Sequence, residues 1–285
     1  MSGIPKNVVY CVSRIHCTFS DGLGHAREIS GTGFWVGNGT TTPVFVTNRH
    51  NMDATIWEEN PHDLKLVRVC LELRKRGTQS ELLDETAFFE LVDVASVLRL
   101  HPSADCAVLM DAKGVVPAEY RSVTTIDIAM IADGPRLSAN AQIMDLVSFV
   151  GFPGRTCAWW DDKANLPIAR LGALASDPGR PFSNRAIRTD DVGLVSGLSF
   201  SGSSGSPLFL HEKGIRVGQG LSGGAYVPPQ VIGIMSGHMQ DVEPGEELLN
   251  HTGLSYFTRS TSILELIGGS SNQAVNLPGA GAPAG

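Results

Sequence analysis

Short apolar runs rich in Val, Ile and Phe recur along the chain, each closed off by Gly, Pro, Asn or Asp. They lie at 8–12, 33–36, 43–47, 66–73, 87–92, 106–110, 146–150, 207–210 and 231–235. Apolar segments this short, with turn residues between them, are strand signals, and many in succession predict an all-β barrel or sandwich. The 32 glycines and 16 prolines fit that turn-rich reading. Amphipathic helices are nearly absent. The exception is 262–267, where Ser262 and Glu265 have capping-box spacing and Gly268 follows as a stop. A hydrophobic fraction of 42% and a charged fraction of 18% exclude a disordered chain. A net charge of −7 disfavours a general nucleic-acid binder, which needs a basic footprint. No apolar stretch approaches the roughly 18 residues of a membrane-spanning helix.

At 285 residues the chain has room for one large unit or two small ones. Residues 117–140 are irregular and punctuated by Gly134-Pro135, which makes them a connector between halves of similar size. The expected division is a first β-barrel over 1–120, a connector over 121–140, a second β-barrel over 141–267, and a flexible Gly/Ala/Ser-rich tail over 268–285. The N-terminus lacks a basic region followed by an apolar run, so no secretory signal is read there. Cys11, Cys17, Cys70, Cys106 and Cys157 are an odd number, spread out and without a CxxC pair. Reduced thiols and a cytoplasmic location are the expectation, rather than a disulfide framework or a thiolate zinc site.

Three blocks carry chemistry. In PVFVTNRHN, over 43–51, a strand ends at Thr47 and delivers His50 just beyond it; an imidazole with an unperturbed pKa near about 6.5 can act as a general base. In HPSADCAVLM, over 101–110, Asp105 stands at the start of a short apolar strand. There it can accept from an imidazole Nδ1–H, fix its tautomer and stabilise the imidazolium. In FSGSSGSPLFL, over 200–210, Gly202 and Gly205 flank Ser204 and a strand follows at once. Glycines on both sides allow a tight backbone path that can aim the amides of Gly202 and Ser204 into one small space. Such an oxyanion hole contributes about 2.7–4 kcal/mol of transition-state stabilisation per donor. Taken singly, each block has an ordinary explanation as a surface histidine, a turn aspartate or a Ser/Gly-rich loop.

Together, in the order His, Asp, Ser, the blocks resemble the trypsin-like (chymotrypsin-fold) serine endopeptidases. Asp105 follows His50 by 55 residues and Ser204 follows Asp105 by 99. GTGFWV at 31–36 is similar to the strand before the histidine strand of that family. VIGIMSG at 231–237 is similar to its substrate-backbone-binding strand, and GLSYFTRSTSILELI at 253–267 to its last barrel strand and closing helix. The resemblance implies two six-stranded antiparallel β-barrels with a short C-terminal helix and a triad in the cleft between them. The first barrel would supply His50 and Asp105, the second Ser204 and the oxyanion hole of Gly202 and Ser204. It implies a protein or peptide substrate, no metal and no organic cofactor. Leu198, Ser199, Phe200, Ser236, Gly237 and His238 would form the substrate pocket. Trypsin-type preference for Arg or Lys needs a carboxylate about where Leu198 stands, so a small or apolar P1 residue is expected unless Asp190 or Asp191 folds in. His238 is the one feature that would favour an acidic P1 residue.

Two departures matter. Activated secreted members carry an Asp before the nucleophile that pairs with a freed N-terminus; here Ser203 occupies that place, and no Ile-Val-Gly-Gly start lies near Met1. The pattern is closer to the intracellular, HtrA-like bacterial branch, but with 18 residues after Ile267 there is no room for that branch's PDZ domain. A cytoplasmic protease without a processing site must avoid indiscriminate digestion, so narrow specificity or an activating partner is expected. Stress response, antiviral defence and cleavage of a neighbouring effector all fit. Two alternatives remain at this stage. One is a non-catalytic binding module on the same fold. The other is an α/β-hydrolase-type esterase using Ser222 of GLSGG, with Asp241 and His251 following; the Tyr226-Val-Pro-Pro that comes next opposes the helix such an elbow requires.

Overall fold

The computed structural model describes residues 4–37, 42–57, 59–77, 81–110, 117–120, 123–154, 158–185, 187, 189–214, 226–241 and 250–269. Two antiparallel sheets account for the bulk of it. The first contains β1 (Val12–Ser20), β2 (Ala26–Gly37), β3 (Val44–Thr47), β4 (Lys65–Arg76), β5 (Leu82–Glu90), β6 (Leu98–Leu100), β7 (Ala107–Leu109) and β8 (Ile126–Asp127). Its order is β5-β4-β1-β2-β3-β7-β6, with β8 added in parallel at the Val36–Gly37 end of β2. The second contains β9 (Leu146–Gly151), β10 (Ile168–Leu174), β11 (Val192–Ser196), β12 (Pro207–Leu210), β13 (Gln230–Asp241) and β14 (Asn250–Arg259). These six close into a barrel in the order β10-β11-β14-β13-β12-β9.

The all-β class, the two sheets and the short C-terminal helix are as the sequence predicts. The first sheet carries eight strands rather than six: the three-residue β6 extends its path, and the two-residue β8 pairs with β2 off that path. The helices are α1 (Val94–Val97), α2 (Gly134–Asn140) and α3 (Ser260–Gly268). Residues 8–12 were expected as a strand; instead Lys6–Cys11 form a 3₁₀ helix that starts after Pro5 and buries Val8 and Cys11. The anticipated capping box is not used either. Helix α3 starts two residues before Ser262, whose hydroxyl donates to Asp191, and it ends on Gly269 in the left-handed conformation. Helix α2 lies inside the segment read as irregular, started by Asp133, whose carboxylate accepts from the Arg136 amide, with Pro at its first turn.

Each sheet wraps its own core. Phe19, Trp35, Phe45, Val69 and Leu71 fill the first, and Val147, Phe149, Leu208, Leu210 and Phe257 fill the barrel. A third cluster, including Phe34, Val46, Val108, Phe152, Phe209 and Ile234, joins the two sheets, and Ile263 and Leu266 of α3 seal it. The site lies at this junction. Cys11, Cys17, Cys70 and Cys106 are free and buried; Cys157 and the tail from 270 on lie outside the described residues. Among the described residues no helix is long and apolar enough to cross a membrane.

Candidate active site

All four residues of β3 are buried, and the chain leaves it into a 3₁₀ turn, Arg49–Asn51, that holds His50. Strand β7 places Asp105 two residues before its start. The two side chains meet: His50 Nδ1 and Asp105 Oδ2 are 2.7 Å apart, and the His50 backbone N–H donates to Oδ1 of the same carboxylate at 2.9 Å. Asp105 is buried, so both oxygens are committed to one imidazole residue. Burial alone would push the His50 pKa down. The charge of Asp105 and its hydrogen bond outweigh that, and the net shift is upward from the ordinary value.

The aspartate is itself held in place. Its carbonyl accepts from Asn48 Nδ2 at 2.9 Å and from Thr258 Oγ1 at 3.3 Å. Asn48 also donates to Ser236 Oγ at 2.9 Å, so one buried amide links β3, the Asp105 turn and β13. His101 braces the same turn: its Nδ1 accepts from the Ala104 amide at 2.9 Å, and its Nε2 reaches Glu265 of α3 at 2.8 Å. Trp57 Nε1 donates to the His50 carbonyl at 2.8 Å. Sequence reasoning missed Asn48, His101 and Thr258. The first two stand inside the very blocks TNRHN and HPSAD that drew attention to His50 and Asp105; Thr258 carries no local signal.

Ser204 sits in a turn between β11 and β12, on the opposite wall of the cleft. Gly202 and Gly205 both have positive φ, +90° and +94°. A Cβ on Gly202 would meet the Phe152 carbonyl at 2.4 Å, and one on Gly205 the Thr32 carbonyl at 1.7 Å, so both positions require glycine. Thr32 of β2 joins this turn to the first sheet. Its N–H donates to the Ser204 carbonyl at 2.8 Å, and its hydroxyl donates to the Gly202 carbonyl at 2.6 Å. The Gly154 amide donates to the Ser201 carbonyl at 2.8 Å. Those carbonyls are thereby tied down, while among the described residues the amides of Gly202 and Ser204 donate to no protein acceptor. The Ser204 hydroxyl donates to the Ser236 carbonyl at 3.3 Å rather than to His50. His50, Asp105, Gly202, Ser204 and Ser236 line one open cleft of about 580 Å³.

Neither a protein-family profile nor a curated protein matches this chain. Solved structures do. An HtrA-type protease, AlgW with a decapeptide, superposes with a TM-score of 0.50 at 11% identity, covering 92% of this chain and 64% of that one. The Rv3671c protease from M. tuberculosis in its active form gives 0.50 at 15% identity, covering 94% and 85%. The fold is chymotrypsin-like. Within that chymotrypsin-like frame the chain spans about two thirds of the AlgW structure's length.

A second pocket of about 200 Å³ opens beside Ser204 in this chymotrypsin-like frame. Ser199, Phe200, Gly237 and His238, four of the six residues expected there, line it, and Met235, Gln240 and Tyr256 join them. Ser236 faces the main cleft instead, and Leu198 is half exposed outside the lining, its carbonyl accepting from Arg170. His238 stacks on His251, centroids 4.5 Å apart. Burial pushes both imidazoles below the ordinary histidine value, and for His238 the neighbouring His251 adds to this. Among the described residues no carboxylate lines the pocket. Asp191 is engaged by Arg259, Thr261 and Ser262, and the Asp190 backbone pairs with Ala104. Ser222 lies outside the described residues, and the antiparallel sheets are not the parallel framework that an α/β-hydrolase elbow needs.

Proposed function

We propose that the protein is a serine endopeptidase. The observation that carries this reading is the double engagement of Asp105 by the ring and backbone of His50, across a cleft from a serine turn with two unengaged amides. In this mechanism Asp105 holds the Nδ1–H, leaving Nε2 of His50 as the base. His50 takes the Ser204 proton as Oγ attacks the scissile carbonyl. The carbonyl π-electrons move onto oxygen, which the Gly202 and Ser204 amides receive. The tetrahedral species collapses to an acyl-enzyme as the imidazolium gives its proton to the leaving amine. Water, deprotonated by His50, then releases the acid. The reaction needs the Ser204 hydroxyl to rotate from the Ser236 carbonyl toward His50, a tightening common when substrate fills such a site.

A pocket lined, among the described residues, by Ser199, Phe200, Met235, Gly237 and Tyr256 with no carboxylate supports small or apolar P1 residues over Arg or Lys. We further assign the enzyme to the cytoplasm, with limited proteolysis under control of a partner or signal. The alternative of a non-catalytic module draws on the present Ser204–Ser236 bond. A panel of P1-varied peptides incubated with the purified chain tests the proposal. Cleavage after small or apolar residues that vanishes in Ser204→Ala is expected. Cleavage that survives Ser204→Ala overturns the mechanism, and dominant cleavage after Arg overturns the pocket assignment.

A further inference from the structure

Outside the cleft, two braced loops bring three ligand-type side chains together. The first is the β1–β2 hairpin turn. The Asp21 N–H donates to the His25 carbonyl at 3.2 Å, and Asp21 Oδ1 accepts from the amides of Leu23 at 2.7 Å and His25 at 3.1 Å. Ser20 Oγ donates to the His25 carbonyl and accepts from the Gly22 amide, both at 3.1 Å. The second is the turn before β4, where the Asn60 side chain accepts from the Leu64 amide at 2.9 Å and Asp63 turns back with φ of +47°. These loops place the His25 and His62 rings face to face, centroids 3.7 Å apart and nearly parallel. Asp21 Oδ2 lies 2.6 Å from His25 Nδ1.

We propose that Asp21, His25 and His62 form a binding site for a divalent transition metal ion such as Zn²⁺. One ligand atom from each of the three residues already lies within 4.8 Å of the other two. A tetrahedral Zn²⁺ with bonds of about 2.0–2.1 Å sets its ligands about 3.3 Å apart, so the closure needed is small. Parallel rings cannot both aim a lone pair at one ion, so the exposed His62 ring swings about its side-chain bonds as the ion enters. Asp21 Oδ2 now accepts the His25 Nδ1–H, the two atoms 2.6 Å apart, and the entering ion displaces that proton to solvent as both residues become ligands. Two imidazoles and one carboxylate leave a fourth position for water, the ligand set of a borderline-soft ion rather than of Mg²⁺ or Ca²⁺. The set owes nothing to the cysteines and is separate from His50 and Asp105.

Calorimetric titration of ZnCl₂ into the full chain tests this. One saturable equivalent is expected, weakened at least tenfold in both His62→Ala and His25→Gln, and unchanged in His211→Ala as a control. Circular dichroism melts confirm that the variants fold, as exposed positions should. No saturable equivalent in the wild type, or the same equivalent retained in a folded His62→Ala, overturns the proposal.

Discussion

At the scale of single residues, the proposed chemistry turns on the hydrogen bond between Asp105 and His50. Replacing Asp105 by Asn keeps the size but puts an N–H where a lone pair accepted from Nδ1, which favours the wrong imidazole tautomer. Peptidase kcat should fall on the order of 10⁴-fold, with little change in melting temperature beyond the lost hydrogen bonds. A loss under tenfold would mean that the imidazole is not the base. The upward shift of His50 also fixes a pH profile. The base must be neutral, so activity should rise with pH through a value above the ordinary one of about 6.5, and fall away below it. A kcat/KM profile whose acid limb lies below 6 would contradict the arrangement.

At the scale of elements, the serine turn depends on its clamp to β2. Gly202→Ala would set a methyl against the Phe152 carbonyl at a φ of +90°. Either the turn or the amide it presents must move. We expect kcat lowered about 10²–10³-fold, the effect of losing one oxyanion donor, with KM changed far less. Steady-state kinetics showing the loss in KM alone would argue that the turn binds substrate and does not act on the transition state. Thr32→Val removes the hydroxyl that holds the Gly202 carbonyl and should lower kcat in the same direction while costing about 1–3 kcal/mol of stability. Strands such as β3, β7 and β12 were legible because they are buried on both faces and read as unbroken apolar runs. Strand β10, IARLGAL, was not: its faces alternate between half-buried and exposed, and Arg170 and Gly172 interrupt the apolar signal. The 3₁₀ segment KNVVYC looks like a strand by composition, and only its packing after Pro5 decides otherwise. For the site, His50, Asp105 and Ser204 were legible as local blocks, whereas Thr32 and Thr258 act through contacts between segments far apart in sequence, and His101, though inside a block, joins it to α3 through Glu265.

At the scale of the whole molecule, the proposed catalysis requires that two separately cored sheets hold their walls at fixed spacing. The shared cluster around Phe34, Phe152 and Phe209 does this through burial. The hairpin over 161–166 adds a polar tie. Arg14, paired with Glu72 at 2.6 Å, reaches Asn165, and Arg74 donates to the Ala164 carbonyl at 2.9 Å. Phe209→Ala should destabilise the chain by about 3–5 kcal/mol in urea unfolding, whereas Leu171→Ala on the exposed barrel face should stay within about 0.5 kcal/mol. Equal effects would mean that the junction is not a packed core.

The central claim is that Ser204 becomes a nucleophile when the cleft is occupied. A fluorophosphonate probe followed by mass spectrometry of the labelled peptide tests it most directly. A single adduct on Ser204 is expected, absent in His50→Ala and unaffected by Ser222→Ala. An adduct on Ser222, or no adduct on a folded chain, would contradict it.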